Sequence, residues 1–366
     1  MLPPGSPVHL PRNDGKLVAA LALPAKTIMS PFIANLPKAE LHVHLEGTLE
    51  PELSFELARK HGVQLEYDTV EELLQAYDFH DLPSFLRIYY KGMSVLRDEE
   101  DFFQLAWQYL SKAAQQHIVY AEMFFDPQAH TSRGVSFDTV IRGIRRAQER
   151  ASVQLGLDTQ LILCFLRDMS AESAMQTLEQ SIPYKHWIVG VGLDSDEKGN
   201  PPVKFAAVFR RARELGYKLT MHCDVNQENT LAHIHQCLHT IEVDRIDHGV
   251  NSLADPALCA TLIERGLGLT VCPVSNRFVV QDLTAQEIRR MLSLGMRATV
   301  NSDDPAYFRA YLNENLEALQ DEGGLTREEI VQLVRNAFVV SWLDESRRAS
   351  YLGRIDRYIN DIEFVP

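Results

Sequence analysis

No apolar stretch of this chain approaches the ~20 residues that a membrane-crossing helix needs, so no membrane span is expected. Positive charge is in short supply: 36 Lys and Arg face 50 Asp and Glu, a formal net charge of −14. That balance argues against a nucleic-acid backbone or an anionic membrane surface as the main partner and leaves small neutral molecules open. Paired cysteines are lacking too. Cys164, Cys223, Cys237, Cys259 and Cys272 are odd in number, widely spaced and free of any C-x-x-C, the usage of reduced thiols in a cytoplasmic protein. Repeats, low-complexity tracts and Gly/Ser linkers are absent, so residues 31–366 read as one domain.

The first 30 residues do not resemble the rest. Pro3, Pro4, Pro7 and Pro11 exclude a helix, and Arg12 and Lys16 precede the apolar stretch 17–23. A signal peptide is one reading. The preferred one is a disordered extension, or a start placed too early, because Met29 would open a compact N-terminus directly before the first strand.

What the chain has in abundance is alternation. Short apolar runs at 39–45, 118–125, 159–166, 187–193, 217–223, 245–248, 267–272 and 296–301 are separated by helical periodicity at 139–155, 204–215, 227–241, 255–265 and 284–294. Several runs are nearly continuous in Val, Ile and Leu, as parallel strands buried on both faces are. The pattern predicts an α/β fold of the (β/α)8 TIM-barrel type. About 70 residues separate the first two strands and read as helices at 51–61, 69–76, 82–97 and 99–116. They are expected to form a lid over the mouth, with Phe79, Leu82, Phe85, Leu86 and Tyr89 as lid residues. Extra helices at 312–319, 326–338 and 343–362 close the chain.

Polar residues recur at the predicted strand ends. His42 and His44 sit two apart on one strand and so share a face. His222, His248 and the pair Asp303-Asp304 end other strands, and all would surround one barrel mouth. Polar groups at that depth need partners, which makes a metal site the better explanation than packing. Three imidazoles with one carboxylate suit zinc and leave a position for water; iron and manganese accept the same donors. In this scheme Asp303 is the carboxylate ligand, His248 the general base that takes the proton of the acidified water, and Asp304 the group facing the substrate. A helix N-cap before Pro305 is the plain alternative for Asp304.

These residues lie in H-V-H-L-E-G-T-L-E-P, R-I-D-H-G and T-V-N-S-D-D-P-A-Y-F, and with the distant His222 they resemble the adenosine/adenine deaminase family of metal-dependent amidohydrolases from about Leu36 onward. The resemblance implies hydrolysis of a purine 6-amino group, metal on His42, His44, His222 and Asp303, water activation by His248, and a bond from Asp304 to purine N7. Glu46 stands where adenosine deaminases carry a ribose-binding Asp, and Ser195 lies in the segment that corresponds to their Gly-Asp-Glu. Both are bulkier and leave less room for ribose. The segments around Gly190–Asn200 and A-E-M-F-F-D-P at 121–127 also look like the adenine-type branch.

One position departs from the family. Its usual acid, a Glu three residues after the strand-five His, is Val225 here, and a valine transfers no proton. Asp224, two residues after His222, is expected to supply the acid, with Glu228 second. A rearranged loop there would also admit an N6-substituted adenine. Two rival readings are weaker. A carboxylated-lysine amidase or lactonase lacks its lysine on strand four, and a catalytically inert binding protein has only Val225 in its favour.

Overall fold

Eight parallel strands form where the apolar runs lie: β1 (Lys38–Glu40), β2 (Ile118–Phe125), β3 (Asp158–Leu166), β4 (Ile188–Asp194), β5 (Lys218–Cys223), β6 (Arg245–His248), β7 (Gly268–Val271) and β8 (Arg297–Val300). They follow one another in chain order around a single sheet, the (β/α)8 arrangement. The structure, a computed structural model, describes residues 30–79, 82–225 and 227–363. The N-terminal extension at 1–29 lies outside the described residues.

The predicted first strand is shorter than expected. Beyond Glu40 the chain stays extended but makes only single bridges, Val43 to Asp303 on one side and His44 to Phe124 on the other. The seam between β8 and β1 is closed by His44 N donating to Asp303 O at 2.9 Å and Asp303 N donating to His42 O at 3.0 Å.

Period-two alternation decides what fills the barrel. Residues 42 and 44, then 120, 122 and 124, then 190, 192 and 194, point to the lumen, whereas Glu40 pairs with Ala121 past a register shift and turns to Tyr109 and Ser302. Glu122 there accepts from Tyr120 Oη at 2.8 Å, Trp342 N at 2.6 Å and Arg245 Nη1 at 2.5 Å. The Arg245 guanidinium stacks on the Trp342 ring at 4.3 Å, which plugs the lumen. Gly190 makes room for that plug: a Cβ there would lie 2.5 Å from Trp342 Cζ3.

The long insertion between β1 and β2 is helical as expected, at Pro51–His61, Val70–Gln75, Leu82–Gly92 and Glu99–Gln115. Phe85 and Tyr89 of the third of these helices are buried. The predicted 227–241 helix starts later, at Thr230, and its last turn is a π-helix over Cys237–Ile241. Helices Leu312–Asp321, Arg327–Val340 and Glu345–Glu363 end the chain. Among the described residues no helix is long and apolar enough to cross a membrane.

Candidate active site

The strand ends deliver more side chains to the mouth than regular strands permit. Consecutive strand residues face opposite sides, yet Asp194-Ser195 and Asp303-Asp304 each line one pocket together, and Asp247-His248 both face the histidine cluster. Each pair contains a residue in the left-handed region: Ser195 at φ 71°, His248 at φ 58° and Asp303 at φ 65°. Such backbone is costly for side chains with a Cβ and persists only where the surroundings enforce it.

Three imidazoles converge through the same atom. His44 Nε2 lies 3.1 Å from His222 Nε2 and 3.4 Å from Asp303 Oδ1, and His42 Nε2 lies 3.2 Å from Asp303 Oδ1. A tetrahedral ion with bonds of about 2.0–2.1 Å has ligand–ligand edges of about 3.3 Å. The spacing fits. His42 Nε2 is moreover buried without a hydrogen-bond partner. Behind them, one opposite ring nitrogen is hydrogen-bonded and the other two each face a carboxylate, the surroundings that metal-binding imidazoles have. His42 Nδ1 meets Thr270 Oγ1 at 2.8 Å, His44 Nδ1 faces Asp194 at 3.5 Å, and His222 Nδ1 faces Asp247 at 3.6 Å. Thr270 and Thr220 both donate to Asp247, at 2.9 and 2.7 Å. Phe124 packs its ring against His42 and His44, at 4.9 Å from each centroid.

Electrostatics prepares the same set. Burial lowers the His42 pKa to about 4, and burial with three neighbouring imidazoles holds His222 well below its usual value. Burial alone would raise Asp303, but His42, His248 and His44 outweigh it and hold the carboxyl well below its ordinary range. Neutral imidazoles and an ionised carboxylate are the forms that bind metal.

His248 differs from the other histidines. Burial opposes its charge, yet Asp224, Asp303, Asp247 and Glu197 together raise its pKa. Asp304 is pushed well above the usual carboxyl range by burial and by Asp303 beside it. It occupies the N-cap position before Pro305 but makes no cap hydrogen bond, so the plain alternative for it does not describe its side chain. Gly47 explains where that side chain lies: a Cβ at 47 would sit 2.0 Å from Asp304 Oδ1.

The sequence-derived residues separate here. His44, His222, His248, Asp303, Asp304, Asp224 and Ser195 line one pocket, together with the five lid residues Phe79, Leu82, Phe85, Leu86 and Tyr89. Ser195 Oγ accepts from Tyr90 Oη at 2.8 Å. Glu228 is exposed and outside that lining. Glu46 is outside it as well, turned under the wall: its Oε1 accepts from His130 at 2.8 Å and from Asp126 N at 3.1 Å. Val225 does not line the pocket.

Sequence reasoning gave no role to three acids that do line it, Asp126, Asp194 and Glu197. Glu197 is buried, accepts from Asp224 N at 2.7 Å and from His233 at 3.0 Å, and so fixes the Asp224 loop. Asp126 and Asp194 end β2 and β4 in lumen-facing register, a parity the sequence already contained. Burial raises both carboxyls, Asp194 to about 6.

A family model described as adenosine deaminase matches residues 37–358. An uncharacterized deaminase of Schizosaccharomyces pombe is 51% identical over 89% of this chain and 97% of its own. An adenine deaminase of Acinetobacter baylyi is 49% identical over 90% of this chain and 99% of its own. The crystal structure of adenine deaminase from Arthrobacter aurescens superposes with a TM-score of 0.86 at 40% identity, over 89% of this chain and 99% of that one. With a family model spanning nearly the whole barrel and full-length relatives at about half identity, the chain belongs to the adenosine deaminase family and is a metal-dependent hydrolytic deaminase.

Proposed function

We propose that the chain hydrolyses the 6-amino group of free adenine, giving hypoxanthine and ammonia. The observation that carries this reading is the convergence of three Nε2 atoms and Asp303 beside Asp304, His248 and Asp224 in one pocket. Relatives that share about half of its residues along their whole length carry the name adenine deaminase.

His42, His44, His222 and Asp303 would hold the cation, zinc by donor type. When bound, it supplies Lewis-acid polarisation and acidifies a water. His248 then takes one proton from the attacking water, its charge supported by the surrounding carboxylates. Asp304, whose raised pKa favours the protonated form, donates to N7 and so orients the base. Asp224, also raised by burial, gives its proton to N1 as the new C–O bond forms at C6. His248 passes its proton to the departing amine, which leaves as ammonia. The remaining hydroxyl proton returns to Asp224, and both groups regain their starting states.

A second substrate is favoured by one feature, the apolar wall of Phe79, Leu82, Phe85, Leu86, Phe278 and Phe308. An N6-alkylated adenine would place its substituent there and release an amine. The test is turnover by the zinc-loaded protein, followed by ultraviolet absorbance and amine release, on adenine, adenosine and N6-isopentenyladenine. Turnover of adenine with little on adenosine is expected. A zinc-loaded protein inert towards every free base would sink the reading.

A further inference from the structure

We propose that Asp126 is a specificity-determining residue that accepts the N9–H of the free base, the position a nucleoside blocks with its sugar. This rests on the adenine reading above and adds the group that selects base over nucleoside.

Asp126 is a structural twin of Asp304. Each follows the end of a barrel strand and precedes a proline, with φ/ψ of −114°/77° at Asp126 and −115°/72° at Asp304. Each stands at a helix N-cap without making the cap hydrogen bond, the usual employment of an Asp there. Both are buried, at 1% and 5% exposure, and each has an Oδ1 atom with no hydrogen-bond partner. A buried polar atom that the protein leaves unsatisfied takes its partner from outside the protein, and in a substrate pocket that partner is a water or the ligand that displaces it. Both line the same pocket.

Their placement suits the two nitrogens of the imidazole ring. Asp304 and Asp126 each bring a carboxylate oxygen within 4.8 Å of a ring nitrogen of His44. The first belongs to the β8 side and the second to the β2 side, so they flank the residues that follow β1. A base whose N7 accepts a hydrogen bond from Asp304 carries its hydrogen on N9. In a desolvated pocket that N–H needs an acceptor on the opposite flank, and Asp126 Oδ1 is one. The protein holds this residue firmly: Asp126 N donates to Glu46, which also accepts from His130, whose Nδ1 meets Arg133 Nη2 at 2.8 Å. Glu46 is thus a positioning residue for Asp126 in place of the direct substrate contact expected from the sequence.

The experiment compares kcat/KM for adenine and for 9-methyladenine, which lacks the N9 hydrogen, in the wild type, Asp126→Ala and Asp126→Asn. A site built to bind an N–H rejects the analogue strongly, so a wild-type preference of at least about 100-fold is expected. In Asp126→Ala the preference should collapse at least tenfold, mostly through KM. Asp126→Asn keeps an acceptor and the shape of the side chain, and should fall between the two. An unchanged ratio in whichever metal-loaded variant folds, including an equal loss on both substrates, overturns the proposal. A wild type that deaminates no adenine overturns the adenine reading instead, and this inference with it.

Discussion

His44 and His222 face each other through their Nε2 atoms at 3.1 Å, both buried, with Asp303 Oδ1 3.4 Å from the former. Two imidazole lone pairs at that distance repel unless a proton or a cation lies between them. Asp194 beside His44 Nδ1 and Asp247 beside His222 Nδ1 favour the tautomers with both protons on Nδ1, which leaves two Nε2 lone pairs facing each other and makes a cation the stabilising occupant. Chelation should therefore abolish turnover and also lower the melting temperature by about 5–10 °C, for a ligand held at ~1,000 times its Kd. Differential scanning fluorimetry with and without added zinc reads this directly. An apo protein melting at the holo temperature would count against a metal site.

Gly47 tests how tightly Asp304 is placed. Substituting alanine puts a methyl 2.0 Å from Asp304 Oδ1 and 2.7 Å from its Cα, so the carboxyl and the backbone that carries it must both move. Displacing a group that contacts substrate by about 1 Å costs on the order of 100-fold in rate. Gly47→Ala is expected to lose at least that much kcat/KM, with metal content measured alongside to separate displacement of Asp304 from loss at Asp303. Near-normal kinetics would show that Asp304 is not the N7 partner.

Asp224 and Glu228 give opposite forecasts. Removing a general acid costs typically ~100- to 10,000-fold, and Asp224→Asn should fall in that range with a folded, metal-loaded protein. Glu228 is exposed and outside the pocket lining, so Glu228→Gln should keep close to wild-type turnover. If Asp224→Asn retains most of its activity, the acid lies elsewhere, and Glu197 is the next carboxylate in the lining.

Arg245 carries the barrel plug. Its guanidinium pairs with Glu122 at 2.5 Å, and both side chains are fully buried. Arg245→Met leaves the Glu122 charge without its cation, a change worth about 3–5 kcal/mol of stability. Urea denaturation would register it. Double replacement with Glu122→Gln should recover part of the loss, because the charge then disappears with its partner.

Much of this architecture was legible in the chain because its cause is local. Seven of the eight strands sit on apolar runs whose composition left few other options, and residues 51–61 carry proline at one end and glycine just past the other. The convergence of His42, His44, His222 and Asp303 was legible too, because strand ends carry all four to one mouth, although Asp303 arrives there on left-handed backbone. Less visible was anything set by left-handed backbone or by contacts distant in sequence. Glu46 reads as a mouth residue by adjacency to His44, but the turn at 46–48 sends its carboxylate to His130, 84 residues away. Glu228 sits near His222 in sequence and outside the lining in space. Asp126 carries only the parity of its strand and Glu197 no spacing signal at all, and only the assembled barrel brings both to the pocket.

The way the barrel closes has a consequence for its unfolding. Between β8 and β1 the backbone is joined by two hydrogen bonds whose participants are His42, His44 and Asp303. The same three residues present side chains to the proposed cation site, so an ion bound there would span the one junction between neighbouring strands that has no ladder. Opening that junction and releasing the ion become one event. The amide protons of His44 and Asp303 should then report metal occupancy by slow exchange in the loaded protein, and be among the first barrel amides to exchange once it is stripped.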